Sequence, residues 1–277
     1  MKDGRWLRII DEKGSFDVND FVEDFIFLDS KTEYPVSIED GITIKGVDGE
    51  LPSVATFSPF PLVVRFGLDG YDEVDINLME QRIRSLFYRR KPYYIVTSDN
   101  PGMKFLVNNP DMNPDYADFS VARFEMNFKV KKGFSESLKD TLDVNFLSEN
   151  WQFGSGLITD QDISYRHNKK GFKIWNGSND AIDPLNHKLI IRIKADAPNG
   201  LSLVNHTTGD RFIYYGALKS SQTLTLNRTH PIIGDKRVGF DSNWDWINLA
   251  EGMNDIAIEG NNITNVYTEF EFNFVYR

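Results

Sequence analysis

The run VYTEFEFNFVYR, residues 266–277, alternates apolar and polar positions almost without interruption. Val266, Phe270, Phe272, Phe274 and Tyr276 fall on one side, and Glu269, Glu271 and Asn273 on the other. A period of two belongs to a half-buried β-strand; an amphipathic helix repeats its apolar positions every three to four residues instead. The preceding sequence follows the same rule. GFKIWN (171–176), KLIIRIKA (188–195), GLSLVN (200–205), RFIYYG (211–216), QTLTLN (222–227), INL (247–249) and DIAIEG (255–260) are short apolar runs separated by turn residues. Many short strands without a helical period predict an antiparallel sandwich.

The first half is different in one place. DFIFLD (24–29), GITIKG (41–46) and FPLVVRFGL (60–68) read as strands bounded by Pro, Gly and Asp. Then Ile76, Met79, Ile83, Leu86 and Phe87 recur at helical spacing. Acidic Asp72, Glu73 and Asp75 open this segment, Arg89 and Arg90 close it, and Pro92 stops it, as the helix dipole favours. A helix over 75–90 is the expectation. After it, YYIVTSDNPGMKFLVNN (93–109) carries a hairpin signal, and ADFSVARFEMNFKVKKG (117–133) is a strand with Phe124, Met126, Phe128 and Val130 on its buried face. The pattern breaks near residue 140. The sequence therefore predicts a mainly β protein with a domain over 1–140, holding the one helix, and a second over 141–277.

The formal net charge of −10 is concentrated before residue 140 and argues against sequence-specific nucleic-acid recognition, because that binding releases counterions through Lys and Arg. It is compatible with a surface that lets DNA slide past. With no cysteine, disulfides, thiolate metal sites and cysteine nucleophiles are excluded. The opening MKDGRWLRIIDEKG lacks the apolar core of a signal peptide, and no run is long enough to span a bilayer. A soluble protein made in a cytosol is expected, and the sequons at Asn176, Asn205, Asn227 and Asn262 read as polar loop composition.

Local chemistry is sparse. His167, His187, His206 and His230 form no H-x-x-x-H or H-x-H pair, so no zinc site is expected. GSGLITD (154–160) lacks the Gly-Lys-Ser/Thr ending of a phosphate loop, and there is no G-x-S-x-G elbow. DGYDEVD (69–75) offers hard oxygens but not the glycine and bidentate Glu of a calcium loop; a solvated turn and helix N-terminus fit it better. Glycosidase chemistry needs two placed carboxylates, and 41 acidic residues supply chance pairs in abundance. No catalytic residue, metal ligand or cofactor is expected.

The stretch WDWINLAEGMNDIAIEG (244–260) reads as strand, turn, strand. On that reading Trp244 and Trp246 share one face, with Ile247 and Leu249 opposite. One face must be core. Either the aliphatic pair or the tryptophans point outward, and an outward pair would be a protein interface or a sugar-stacking platform. Trp151 and Trp175 fall in the same half of the chain.

The order of these segments resembles the distal tail proteins of siphophages that infect Gram-positive bacteria. GRWLRIIDEKG resembles the start of that family. GITIKGVDGELP, then FPLVVRFGL, the helix and KPYYIVTSDNPGMKFLV follow its progression. GFKIWNGSNDAIDP followed by INLAEGMNDIAIEG resembles its C-terminal sandwich. The motifs are β-turn grammar, so their order and spacing carry the resemblance, which spans most of the chain.

The resemblance implies an N-terminal domain that assembles as a hexameric ring, caps the tail tube and passes DNA, and a C-terminal galectin-like antiparallel β-sandwich. Implied partners are further copies of the chain, the tail tube protein, a tail-associated protein and a receptor-binding protein, in a virion tail tip made in the host bacterial cytoplasm. The sugar motifs His-Asn-x-Arg and Trp-Gly-x-Glu of true galectins are absent, so a galectin-like shape does not imply galectin binding. A free-standing carbohydrate-binding β-sandwich and a wall-degrading hydrolase are the alternatives.

Overall fold

A computed structural model describes residues 4–22, 24–118, 120–143 and 163–277. Trp151 and GSGLITD (154–160) lie outside them. The chain divides into two compact units, Met1–Glu136 with Arg277, and Ser137–Tyr276.

In the first unit β1 (Leu7–Asp11) and β2 (Gly14–Asp17) form a hairpin, followed by β3 (Phe25–Thr32), the short pair β4 (Ser37–Ile38) and β5 (Thr56–Phe57), and β6 (Phe60–Asp69). The helix α1 (Glu73–Phe87) comes next, then β7 (Tyr93–Thr97), β8 (Met103–Val107), β9 (Asp111–Tyr116) and β10 (Val121–Val130). One sheet runs β2-β1-β7-β8, the other β3-β6-β10-β9. β6 and β10 pair antiparallel along their whole length, from Phe60 opposite Val130 to Asp69 opposite Val121. Their alternating apolar residues fill the core, where Phe25, Phe66 and Phe124 stack at centroid spacings of 4.9 and 5.0 Å.

Helix α1 buries Ile76, Met79, Ile83, Leu86 and Phe87, as their spacing predicts. It starts earlier than the sequence suggests, because the Asp72 carboxylate accepts the Asp75 amide at 2.9 Å and caps it. It also stops earlier, at Phe87. Arg89 lies past the end and its Nε donates to the Leu86 carbonyl at 2.5 Å. The predicted hairpin is present as β7 and β8, with Tyr93 opposite Val107.

GITIKG is a departure. Only Ile42 bridges, to Leu51, and the run is otherwise unpaired and exposed. Its isoleucines have no sheet to join.

The second unit follows β11 (Ser135–Ser137), which straddles the division, and contains β12 (Arg166–His167), β13 (Gly171–Asn176), β14 (Leu189–Asp196), β15 (Leu201–Asn205), β16 (Arg211–Tyr214), β17 (Leu224–Asn227), β18 (His230–Ile233), β19 (Lys236–Arg237), β20 (Gly252–Glu259), β21 (Thr264–Phe272) and β22 (Val275–Tyr276). Two antiparallel sheets, β12-β21-β14-β17-β18-β19 and β13-β20-β15-β16, make the sandwich. Between them Phe172 meets Phe270 at 5.9 Å and Trp175 meets Phe274 at 5.3 Å, both edge to face. Trp175 is thus a core residue.

The final alternation is interrupted. β21 ends at Phe272, and Asn273, expected on the wet side, is buried with its Nδ2 donating to the Ser137 carbonyl at 2.9 Å. Glu271 keeps its predicted side and pairs with Lys188 at 2.5 Å and Arg192 at 2.6 Å.

The predicted hairpin over 244–260 also fails in its first arm. Gly252–Glu259 is a strand, but of 244–250 only Leu249 forms a bridge, to Ile182. Side-chain amides replace the ladder there. Asn254 Oδ1 accepts from the Ala250 amide at 2.8 Å, Asn205 Nδ2 donates to the Asn248 carbonyl at 2.8 Å, and Asp210 accepts the Asn248 amide at 2.8 Å. Backbone groups satisfied this way need no partner strand.

Candidate functional site

Two surfaces remain after the cores are accounted for. The first is an arm of the first unit. Ser37 pairs with Phe57 and Ile38 with Thr56, Ile42 and Leu51 exchange backbone hydrogen bonds at 3.2 and 3.0 Å, and Gly46 and Gly49 turn the tip at positive φ. Val36, Ile42, Val47, Leu51 and Val54 are all exposed along it. A two-stranded hairpin with no sheet against it is marginal in water, and exposed apolar surface of this extent marks an interaction site.

The first unit also has a hollow of about 690 Å³ between Phe16, Phe21, Leu86 and Arg89. Several of its charges are paired internally. Arg89 pairs with Asp11 and lies 5.3 and 5.2 Å from the rings of Phe16 and Tyr93; Lys91 pairs with Glu12 at 2.8 Å. Burial raises the Asp11 carboxyl, but the Lys13 amide and Arg89 outweigh it and hold it below the ordinary value. The Asp11–Arg89 pair is thus a structural one.

The second surface holds the predicted Trp244 and Trp246. They do not share a strand face, yet both line one groove of about 430 Å³ with Thr229, His230, Pro231, Arg237, Gly239 and Phe240. Which residues are core is decided plainly: Ile247 and Leu249 are buried, Trp244 is 64 % exposed, and Trp246 is half-buried. Trp244 stands edge-on to the exposed Phe240. Its backbone has a φ of +60°, in the left-handed region.

The loop is held from both sides. Asn243 Nδ2 donates to the Arg211 carbonyl at 2.8 Å and its Oδ1 accepts the Ile213 amide at 2.9 Å, so it docks on the edge of β16. The Ser242 hydroxyl donates to the Gly239 carbonyl at 2.8 Å and accepts the Trp244 amide at 3.3 Å. A second hollow of about 300 Å³ shares Thr229, His230 and Arg237 with the first and adds Pro184, Leu185 and Arg228. The two hollows are neighbours on the β18–β19 hairpin.

Sequence reasoning missed Phe240, Arg228 and Arg237. They come from separate segments, and only the fold brings them beside the tryptophans. Among the described residues no group of His, Cys, Asp or Glu is placed to hold a metal ion. In DGYDEVD the carboxylates serve the helix start: Asp72 caps it, and Asp75 accepts the Tyr71 amide at 3.0 Å.

Residues 15–130 match the family described as the phage tail protein RIFT-related domain. The match spans most of the first unit. The Dit protein of phage SPP1, described as a paradigm of the hub adsorption apparatus in Gram-positive-infecting phages, has the same fold. The two agree with a TM-score of 0.69 at 12 % identity, covering 98 % of this chain and 99 % of that one. A subunit of the phage P2 baseplate in its activated conformation with calcium aligns over 98 % of both chains at 9 % identity, with a TM-score of 0.41. No curated protein matches the chain by sequence. Family and fold bear out the resemblance to siphophage distal tail proteins and the mainly β architecture. Among the described residues no helix is long and apolar enough to cross a membrane.

Proposed function

We propose that this protein is a structural component of a siphophage tail tip, in which the first unit closes a ring of copies, six in number. The ring joins the tail tube to the adhesion device and lets DNA pass. The galectin-like second unit, expected from the sequence over 141–277, offers surface to the tail-associated and receptor-binding proteins. The role is one of shape, without a reaction.

The observation that carries this reading is the exposed apolar arm over 36–58. Val36, Ile42, Val47, Leu51 and Val54 stand largely in solvent and suit a neighbouring copy. A head-to-tail contact of this kind uses two different patches, so repetition through a fixed rotation closes a ring. The acidic balance of the first half agrees with a channel that repels phosphate rather than binding it.

Negative-stain microscopy of the purified chain tests the reading. Closed rings of a single copy number with an open centre are expected. Isolated particles of one chain, or open filaments, would overturn it.

A further inference from the structure

We propose that the groove of the second unit binds an acidic oligosaccharide, with sugar rings stacked on Trp244 and Trp246 and a carboxylate or phosphate substituent held by Arg237 and Arg228. The inference rests on the geometry of the second unit alone and stands whether or not the copies close into a ring.

Three observations carry it. The first is charge. Arg228 and Arg237 pair with no carboxylate among the described residues, and no Asp or Glu lines either hollow. In a chain with a net charge of −10, two unneutralised guanidinium groups in neighbouring hollows are a local inversion. Arg228 is also fixed in place: its Nε donates to the Pro184 carbonyl at 2.8 Å and its NH2 group to that of Leu185. A planar guanidinium matches carboxylate and phosphate geometry.

The second is shape. Volumes of about 430 and 300 Å³ lie at the size of small-molecule sites, and two neighbouring hollows that share Arg237 suit a short chain of sugars rather than a single ring. The apolar C–H face of a pyranose fits the electron-rich face of an indole, and Thr229 and His230, which line both hollows, offer groups to meet hydroxyls.

The third is backbone strain. Arg228 has a φ of +57° and Trp244 of +60°, so each of the two neighbouring hollows is lined by one left-handed non-glycine residue. Arg228 occupies the first position of the two-residue turn between Asn227 and His230, where Gly or Asn is usual. Side chains held this way at a cleft point to a ligand. An apolar protein segment fits less well, because covering the groove would bury two unpaired cations.

The test uses the full chain, with tryptophan fluorescence and calorimetry as readouts. The probes are galacturonic acid tetrasaccharide, maltotetraose carrying a terminal 6-phosphate, neutral maltotetraose and inorganic phosphate. At least one acidic tetrasaccharide is expected to bind about tenfold more tightly than the neutral one and than phosphate. The preferred probe identifies the anionic group. Trp244→Ala is expected to weaken binding about tenfold and Arg237→Gln to abolish the acidic preference, while Trp244→Phe retains most of the affinity and all variants keep the parent melting temperature. The proposal is overturned if no tetrasaccharide binds, if acidic and neutral probes bind alike, or if the substitutions leave binding unchanged. It is also overturned if Trp244→Ala lowers the mass in solution, which would make the groove a contact between copies.

Discussion

Trp244 meets Phe240 edge to face, with ring centroids 5.4 Å apart and planes at 89°, and both rings stand mostly in solvent. A left-handed backbone costs a residue such as Trp about 1–2 kcal/mol. An aromatic pair of this geometry returns about 0.5–1.5 kcal/mol. The two nearly cancel, so the ring is not retained for stability. Trp244→Asn, with a residue tolerant of that conformation, should leave the unfolding free energy of the second unit within about 1 kcal/mol of the parent in urea.

Ile247, three residues on, should behave in the opposite way. It is buried in the core at 1 % exposure, and truncation leaves a void. Ile247→Ala is expected to cost about 2–5 kcal/mol in the same urea titration. A cost as small as that of Trp244→Asn would mean that the loop faces the other way.

The contrast between these two residues shows what the sequence can and cannot disclose. Strands with one buried face, such as Phe60–Asp69 and Val121–Val130, announce themselves because side-chain alternation follows from the pleat. The helix is equally legible from its apolar spacing and its acidic start. The segment 244–250 is not, because its backbone is satisfied by the amides of Asn205 and Asn254, which lie far away in sequence or beyond a turn. Its apolar spacing imitates a strand without one. GITIKG misleads for another reason: its isoleucines look like core residues, yet the arm has no sheet beneath it. The groove was half legible. Two tryptophans drew attention, but Arg228, Arg237 and Phe240 join them only through the β17–β18 turn and the short helical turn at Gly239–Asp241.

The start of α1 depends on one carboxylate. Removing the Asp72 cap leaves the Asp75 amide without its partner, so Asp72→Ala should destabilise the first unit by about 1 kcal/mol. Asp72→Asn, which preserves an accepting oxygen, should recover most of the loss. Chemical denaturation of the two variants side by side distinguishes the outcomes.

Acid should weaken the first unit through Glu136. Burial raises this carboxyl, but Lys132 at 2.8 Å and the Tyr94 phenol, which donates to it at 2.6 Å, outweigh that and hold it below its ordinary value of 4.5. A depressed folded value means that the stabilisation is fully present above 4.5 and is lost as pH falls through the lower folded value. The denaturation midpoint of the first unit should therefore drop on acidification in that window, and Glu136→Gln should flatten the dependence. Lys132→Met removes one partner of a largely buried pair and should cost about 2 kcal/mol or more at neutral pH.

The proposed ring depends on the arm joining one copy to the next. Ile42 and Leu51 are exposed at its bridge and take no part in the core of the first unit, so Ile42→Ser combined with Leu51→Ser should leave that unit folded. Mass measurement by light scattering, on the parent and this double variant at equal concentration, is the most direct test. The parent should run at several times 31.9 kDa and the variant close to 31.9 kDa with an unchanged circular dichroism spectrum. A parent that stays at the mass of one chain, or a variant that assembles as the parent does, would contradict it.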